Sequence, residues 1–223
     1  MLKLDLHLHS CYSDDAIGEP KELIKHLKKQ GLQGMALTDH NCIEGSLKAV
    51  KAAPPDFLVI PGIEITTKDG HLLALNVTER IPRGLPVIET VEKITDLGGI
   101  PVVPHLFRML SGIKKGNLKK IHDMVSVIEV FNGCSLPSTN LKTAKIAHSF
   151  HLGGTGGSDS HDPKYAGFAY TVIDSTDMRI DTVLSHLEKG TTWGEGTTMP
   201  LTYRRDRMVV SVKQYVQRGF RRI

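Results

Sequence analysis

The sequence predicts a single α/β domain, either an α/β barrel or one large α/β domain with a parallel sheet. Two observations carry this. Short β-type runs alternate with amphipathic helical stretches along most of the chain, the order expected of βα units. The length of 223 residues suits one domain of that kind.

In order, strands are expected at residues 2–8, 34–38, 57–65, 72–77, 100–103, 125–131 and 169–173. Helices are expected at residues 20–30, 44–53, 87–97, 138–150 and 179–189. The first helix shows why: Pro20 stands near its start, Leu23, Ile24 and Leu27 recur on one face, and Gly31 follows its end. The run Gly153, Gly154, Thr155, Gly156, Gly157 fits neither G-x-G-x-x-G nor a P-loop, so it reads as close backbone packing beside a site. After Pro200, Val209, Val212, Val216 and Phe220 recur every three or four residues, which predicts a terminal helix with one face on the barrel. The expected organisation is therefore a barrel over residues 1–200 and a basic C-terminal helix, 201–223, packed on it.

Composition excludes several classes. Apolar residues make up 40% and charged residues 23%, and no apolar run reaches the length of a membrane span. The N-terminal stretch MLKLDLHLHS places a charge and two histidines where an export signal needs an unbroken apolar core, so a cytoplasmic location is expected. Cys11, Cys42 and Cys134 are odd in number and widely spaced, which supports neither a disulfide framework nor a zinc ribbon. Residues 201–223 carry seven Lys and Arg against Asp206 alone, whereas the remaining 200 residues carry 21 basic and 23 acidic groups. That asymmetry points to a polyanionic partner met through the basic C-terminus, such as nucleic acid.

The histidines divide into two sets. His26, His122, His148, His151 and His186 fall in helices or at their ends, where a structural histidine is the default. His7, His9, His40, His71, His105 and His161 fall at strand ends or in the turns that follow, and in parallel α/β folds those positions converge. His7 and His9 are two apart in a strand and so share a face. Asp5, Asp14, Asp39, Glu64, Asp159 and Asp162 flank them, with no Lys or Arg inside the short motifs to neutralise the acids. Buried carboxylates need a positive partner, and divalent metal supplies it. Mixed imidazole and carboxylate ligation suits Zn, Mn or Fe. A cluster of such ions activates water and clamps a phosphoryl group, so hydrolysis of phosphate esters is the chemistry this set suits best.

The same residues resemble a known family, the PHP (polymerase and histidinol phosphatase) superfamily. The motifs are D-L-H-L-H-S at Asp5 to Ser10, Y-S-D at Tyr12 to Asp14, T-D-H-N at Thr38 to Asn41 and G-I-E at Gly62 to Glu64. His71, P-H-L-F-R at Pro104 to Arg108, I-E-V-F-N at Ile128 to Asn132 and G-S-D-S-H-D at Gly157 to Asp162 complete the set. The resemblance implies a distorted (β/α)7 TIM-like barrel holding two or three divalent ions. By matching motif, His7, His9, Glu64 and Asp159 hold one ion, Glu64 bridges to a second held by His71 and His105, and Asp14, His40 and His161 hold a third. Asp39 is then expected to orient His40. Asp159 and His161 are expected at the reacting centre, with Arg108 forking onto a substrate phosphate and Glu129 and Asn132 orienting ligands or substrate. Two positions depart from the family's pattern: Asp15 stands where Gly often follows Y-S-D, and Leu106 where Pro often follows the motif histidine.

The expected function is a metal-dependent phosphoesterase acting on nucleotides or short oligonucleotides. Competing readings are a phosphatase for a small metabolite such as histidinol phosphate and a non-catalytic barrel subunit of a nucleic-acid-processing assembly. An amidohydrolase barrel also begins with H-x-H, but it relies on a carbamylated lysine and no strand-end lysine here is suitably placed.

Overall fold

A computed structural model describes residues 1–219. Phe220, Arg221 and Arg222, which the sequence reading placed on the terminal helix, lie outside the described residues. The chain runs β1 (Leu2–Leu8), α1 (Pro20–Lys29), β2 (Gly34–Leu37), α2 (Glu44–Ala52), β3 (Leu58–Thr66), β4 (His71–Leu75), α3 (Val87–Asp96), β5 (Ile100–Val103), α4 (Lys115–Ile121), β6 (Val127–Asn132), α5 (Pro137–Ser149), β7 (Gly153–Gly157), β8 (Ala169–Ile173), α6 (Ile180–Glu188), β9 (Trp193–Gly196) and α7 (Leu201–Gln217). The fold is α/β, a distorted barrel in one domain, as expected.

The nine strands form one sheet in the order β7-β6-β5-β4-β3-β2-β1-β8-β9. It is mixed rather than parallel throughout. β1–β2, β2–β3, β5–β6 and β6–β7 are parallel, while β4 runs antiparallel to both β3 and β5. The reason lies in the connection: β3 and β4 are joined by a tight turn in which Thr67 N–H donates to the Gly70 carbonyl at 2.9 Å, too short for a parallel crossover. β8 also pairs antiparallel with β1, and β9 extends it.

The barrel nearly closes between β7 and β1. Asp159 N–H donates to the His7 carbonyl at 2.6 Å and His9 N–H to the Ser160 carbonyl at 2.9 Å. The glycine run makes this approach possible. A Cβ on Gly157 would sit 2.3 Å from the Cβ of His7, and one on Gly156 would sit 2.2 Å from the Tyr170 carbonyl oxygen. The run is itself a strand, β7.

The strands are buried almost throughout, and the apolar side chains divide into three clusters. One joins Leu2, Leu4, Ile60, Leu75, Val102 and Val127 to Val183 and Leu187 of α6. A second packs α1, through Leu23 and Leu27, on Met35 and Leu37 of β2. The third carries α3, α4 and α5 on β3 to β6, through residues such as Val91, Leu118, Ala147, Ile65 and Ile128.

The terminal helix differs from expectation in its contacts. Val209, Val212 and Val216 are exposed, and residues that bond to the barrel include Tyr203, Arg204 and Arg207. Among the described residues no helix is long and apolar enough to cross a membrane.

Candidate metal centre

Every expected ligand except Asp14 arrives at one end of the barrel. His7 lies near the end of β1 with His9 just beyond it, His40 follows β2, Glu64 lies near the end of β3, His105 follows β5, and Asp159 and His161 follow β7. His71 opens β4, whose reversed direction brings its first residue to the same end.

Glu64, 1% exposed, is the hub. Its Oε2 lies 3.4 Å from His7 Nε2, 3.3 Å from His9 Nε2 and 3.1 Å from His40 Nδ1. Its Oε1 lies 2.7 Å from His71 Nδ1 and 3.0 Å from His105 Nε2. Asp159 Oδ1 lies 3.6 Å from His7 Nε2 and 3.5 Å from His9 Nε2. Among the described residues, sets of three donors that lie mutually within 4.8 Å include His9, His40 and His161; His7, His105 and Asp159; His7, His9 and Glu64; and His40, Glu64 and His71.

Electrostatics oppose burial here. Burial alone would raise the Glu64 carboxyl, but His71, His40 and His7 outweigh it and hold that group well below the usual carboxylate range. Burial likewise works against a charged His7, yet Glu129, Asp159 and Glu64 raise it well above the ordinary imidazole value. At His105 burial prevails, with Arg108 adding to it, and the imidazole falls to about 4.

The donor set fits divalent cations. Asp15 Oδ1, His40 Nδ1, His105 Nδ1, Asp159 Oδ1 and His161 Nε2 are buried polar atoms without a hydrogen-bond partner. His40 Nδ1 is near Glu64 yet not aligned to bond it, as expected when both are shaped around a shared ion. Several orphaned polar atoms in one place would be costly in a finished core, and a cation satisfies them together. His105 and Asp159 also have positive φ, 28° and 54°, a conformation that costs non-glycine residues energy and gathers at functional sites.

A shell of polar groups holds the ligands. Glu129 Oε1 lies 2.9 Å from His7 Nδ1, fixing the ring so that Nε2 faces the centre, and its Oε2 accepts from the His105 N–H at 2.8 Å. Asn132 Nδ2 donates to Glu129 Oε2 at 2.9 Å and to Asp159 Oδ2 at 3.1 Å. Arg108 bonds Asp159 Oδ2 through Nη2, and its side chain, 34% exposed, reaches solvent beside the cluster.

Two placements differ from the sequence reading. Asp14 is exposed, and the carboxylate facing the third set is its neighbour Asp15, with Oδ2 3.3 Å from His161 Nε2 and 3.9 Å from His40 Nε2. The loop after β1 turns tightly, Ser13 N–H donating to the Ser10 carbonyl and Ala16 N–H to Ser13, so the inward position falls one residue later than the motif places it. Asp39 does not touch the His40 ring. Its Oδ1 accepts from Ser13 Oγ at 2.9 Å, and Ser13 Oγ in turn accepts from the His40 N–H at 3.0 Å, so the coupling passes through a serine that sequence reasoning left out. His26, on α1, is remote from the cluster in its bonding, pairing with Gln30 at 2.6 Å.

Residues 5–133, more than half the chain, match the PHP domain family model. The chain belongs to the PHP domain family. Residues 137–192 match the PHP-associated model. Membership carries the class that the motifs implied, a metal-dependent phosphoesterase. A relative in Methanocaldococcus jannaschii, itself an uncharacterised protein, is 36% identical over 143 residues, 59% of this chain and 82% of the other. A 3',5'-nucleoside bisphosphate phosphatase of Chromobacterium violaceum is 30% identical over 130 residues, covering 58% of this chain and 39% of that enzyme. Among solved structures, a two-domain protein from Bacteroides vulgatus containing a predicted PHP-like metal-dependent phosphoesterase superposes with a TM-score of 0.75 at 18% identity. That match covers 88% of this chain and 65% of the other, and it concerns the fold.

Proposed function

We propose that this PHP protein hydrolyses phosphate esters of nucleotides or short oligonucleotides, using water activated at a centre of two or three divalent ions, Zn, Mn or Fe. His7, His9, Glu64 and Asp159 would hold one ion. Glu64, His71 and His105 would hold a second, and His40 and His161 would hold a third, with Asp15 taking the role the motif suggested for Asp14. Ions bound there supply Lewis-acid activation of water and neutralise charge developing on the phosphoryl oxygens.

The chain's own residues do the rest. Arg108 offers a guanidinium to the substrate phosphate from the solvent side of Asp159, where its exposed share remains available for a forked contact. Asn132 and Glu129 keep Asp159, His7 and the His105 backbone in place. The observation that carries the reading is the single buried carboxylate of Glu64 within 3.4 Å of five imidazole nitrogens. Nucleotide substrates are supported by the bisphosphate phosphatase among the relatives.

A second reading, a phosphatase for a small metabolite, is favoured by the terminal helix. Arg204 and Arg207, which sequence analysis counted toward a polyanion-binding tail, bond Ser135 and Asp15 instead. Phosphate release measured across mononucleotides, nucleoside bisphosphates, short oligonucleotides and sugar phosphates, with Mn, Zn or Fe restored to stripped protein, separates the two. Turnover highest on the nucleotide series supports the first reading. Turnover confined to non-nucleotide monoesters supports the second, and no turnover with any metal overturns both.

A further inference from the structure

The first half of α7 is attached to the rim of the metal centre by three polar contacts, each to a different loop. Tyr203 accepts from the backbone N–H of His161 at 3.3 Å, and its ring lies 4.1 Å from that of Tyr165. Arg204 Nη1 donates to the Ser135 carbonyl at 2.8 Å. Arg207 makes the third contact, and it is two-armed: Nη1 donates to the Asp15 carbonyl oxygen at 2.9 Å and Nη2 to Asp15 Oδ2 at 2.8 Å. The Asp15 side chain is 3% exposed and that of Arg207 is 19% exposed, so this pair is far drier than an ordinary surface ion pair. Asp15 Oδ2 thus meets both Arg207 and His161, while Oδ1 is buried and has no partner.

We propose that Arg207 is a positioning residue for the third cation subsite, holding the backbone carbonyl and the carboxylate of Asp15 against His161 and His40 so that an ion can be shared among the three. The inference rests on the metal-centre reading above. It assigns a role in ion binding to a residue 192 positions away in sequence from its partner, at the opposite end of the chain from the motifs. Asp15 lies in a loop rather than a strand, so its carboxylate is ordered only if something outside the loop orders it. A forked guanidinium does so at two points, and hydrogen-bonded support of this kind behind a ligating carboxylate typically changes metal affinity about 10–100-fold. The opposing effect is charge: a guanidinium near the subsite repels a cation, and if repulsion won, removing Arg207 would tighten binding.

Metal-stripped full-length protein titrated with Mn2+, followed by calorimetry and by the electron paramagnetic resonance of free Mn2+, distinguishes these. Wild type is expected to take up more than one equivalent, with one class of site lost in His161→Gln. Arg207→Met weakens that same class about 10–100-fold and spares the others, and Arg207→Lys, which keeps one arm, falls between. Arg204→Met removes another anchor of the same helix and leaves Mn2+ uptake within about twofold, because it does not touch Asp15. Unchanged or tighter binding in Arg207→Met, or an equal loss in Arg204→Met, overturns the proposal while leaving the metal centre intact. Wild-type uptake below one equivalent overturns the metal centre and this inference together.

Discussion

Stripping the metal is the perturbation whose size the site itself sets. Without ions, the centre leaves Asp15 Oδ1, His40 Nδ1, His105 Nδ1, Asp159 Oδ1 and His161 Nε2 buried and without a hydrogen-bond partner. An ion that binds only the folded chain stabilises it by about 2.7 kcal/mol when free metal is a hundred times its dissociation constant. Two such ions contribute roughly 5 kcal/mol, and at about 2–4 °C per kcal/mol for a chain of this size the melting temperature rises by roughly 10–20 °C. Scanning calorimetry on chelator-treated protein, before and after Mn2+ or Zn2+ is restored, measures this directly. Glu64→Gln should lose most of the gain, since its carboxylate is the group that reaches all five imidazoles. A stripped and a restored protein melting within about 2 °C of each other, a difference worth under roughly 1 kcal/mol, would refute the reasoning. So would a Glu64→Gln variant that retains the full gain.

Three further outcomes are expected. Gly157→Ala should cost about 3 kcal/mol or more, because its Cβ would lie 2.3 Å from that of His7 and β7 would have to move away from β1; Gly116→Ala, with nothing within 4 Å of the added atom, should leave the calorimetric melting temperature of the protein unchanged or raised. Arg108→Met should lower kcat/KM for a phosphomonoester about 10–100-fold, the worth of one charge-assisted contact, chiefly through KM in steady-state assays. Asp159→Asn and His9→Ala should each reduce turnover by orders of magnitude, while His26→Ala and His148→Ala, on the helices α1 and α5, change it little; equal losses at all four would mean that the histidines are structural.

What the sequence made legible was whatever follows from a fixed period or from strand ends. His7 and His9 could be placed together because a strand alternates its side chains, and the remaining histidines because strand ends of an α/β fold share one side. β4 departs from the parallel expectation for a reason the sequence also contained: the few residues between Ile65 and Leu72 cannot carry a crossover. β7 was legible as close packing but not as a strand, because the glycines that let it approach His7 are the residues strands usually avoid.

The inward turn of Asp15 in place of Asp14 escaped for a different reason. The loop from Ser10 to Ala16 has no period, so whether Asp14 or Asp15 turns inward depends on its turn bonds and on Arg207, a contact across 192 positions. The terminal helix shows the same limit from the other side. Its valines recur at helical spacing and the helix forms, yet Val209, Val212 and Val216 stay exposed because docking is decided by polar anchors in its first two turns. An apolar stripe fixes which residues share a face; which face meets the protein depends on the partners available at the point of contact. At the rim of this barrel those partners are the Asp15 carboxylate, the Ser135 carbonyl and the His161 backbone N–H, all polar, and they select the face that carries Tyr203, Arg204 and Arg207.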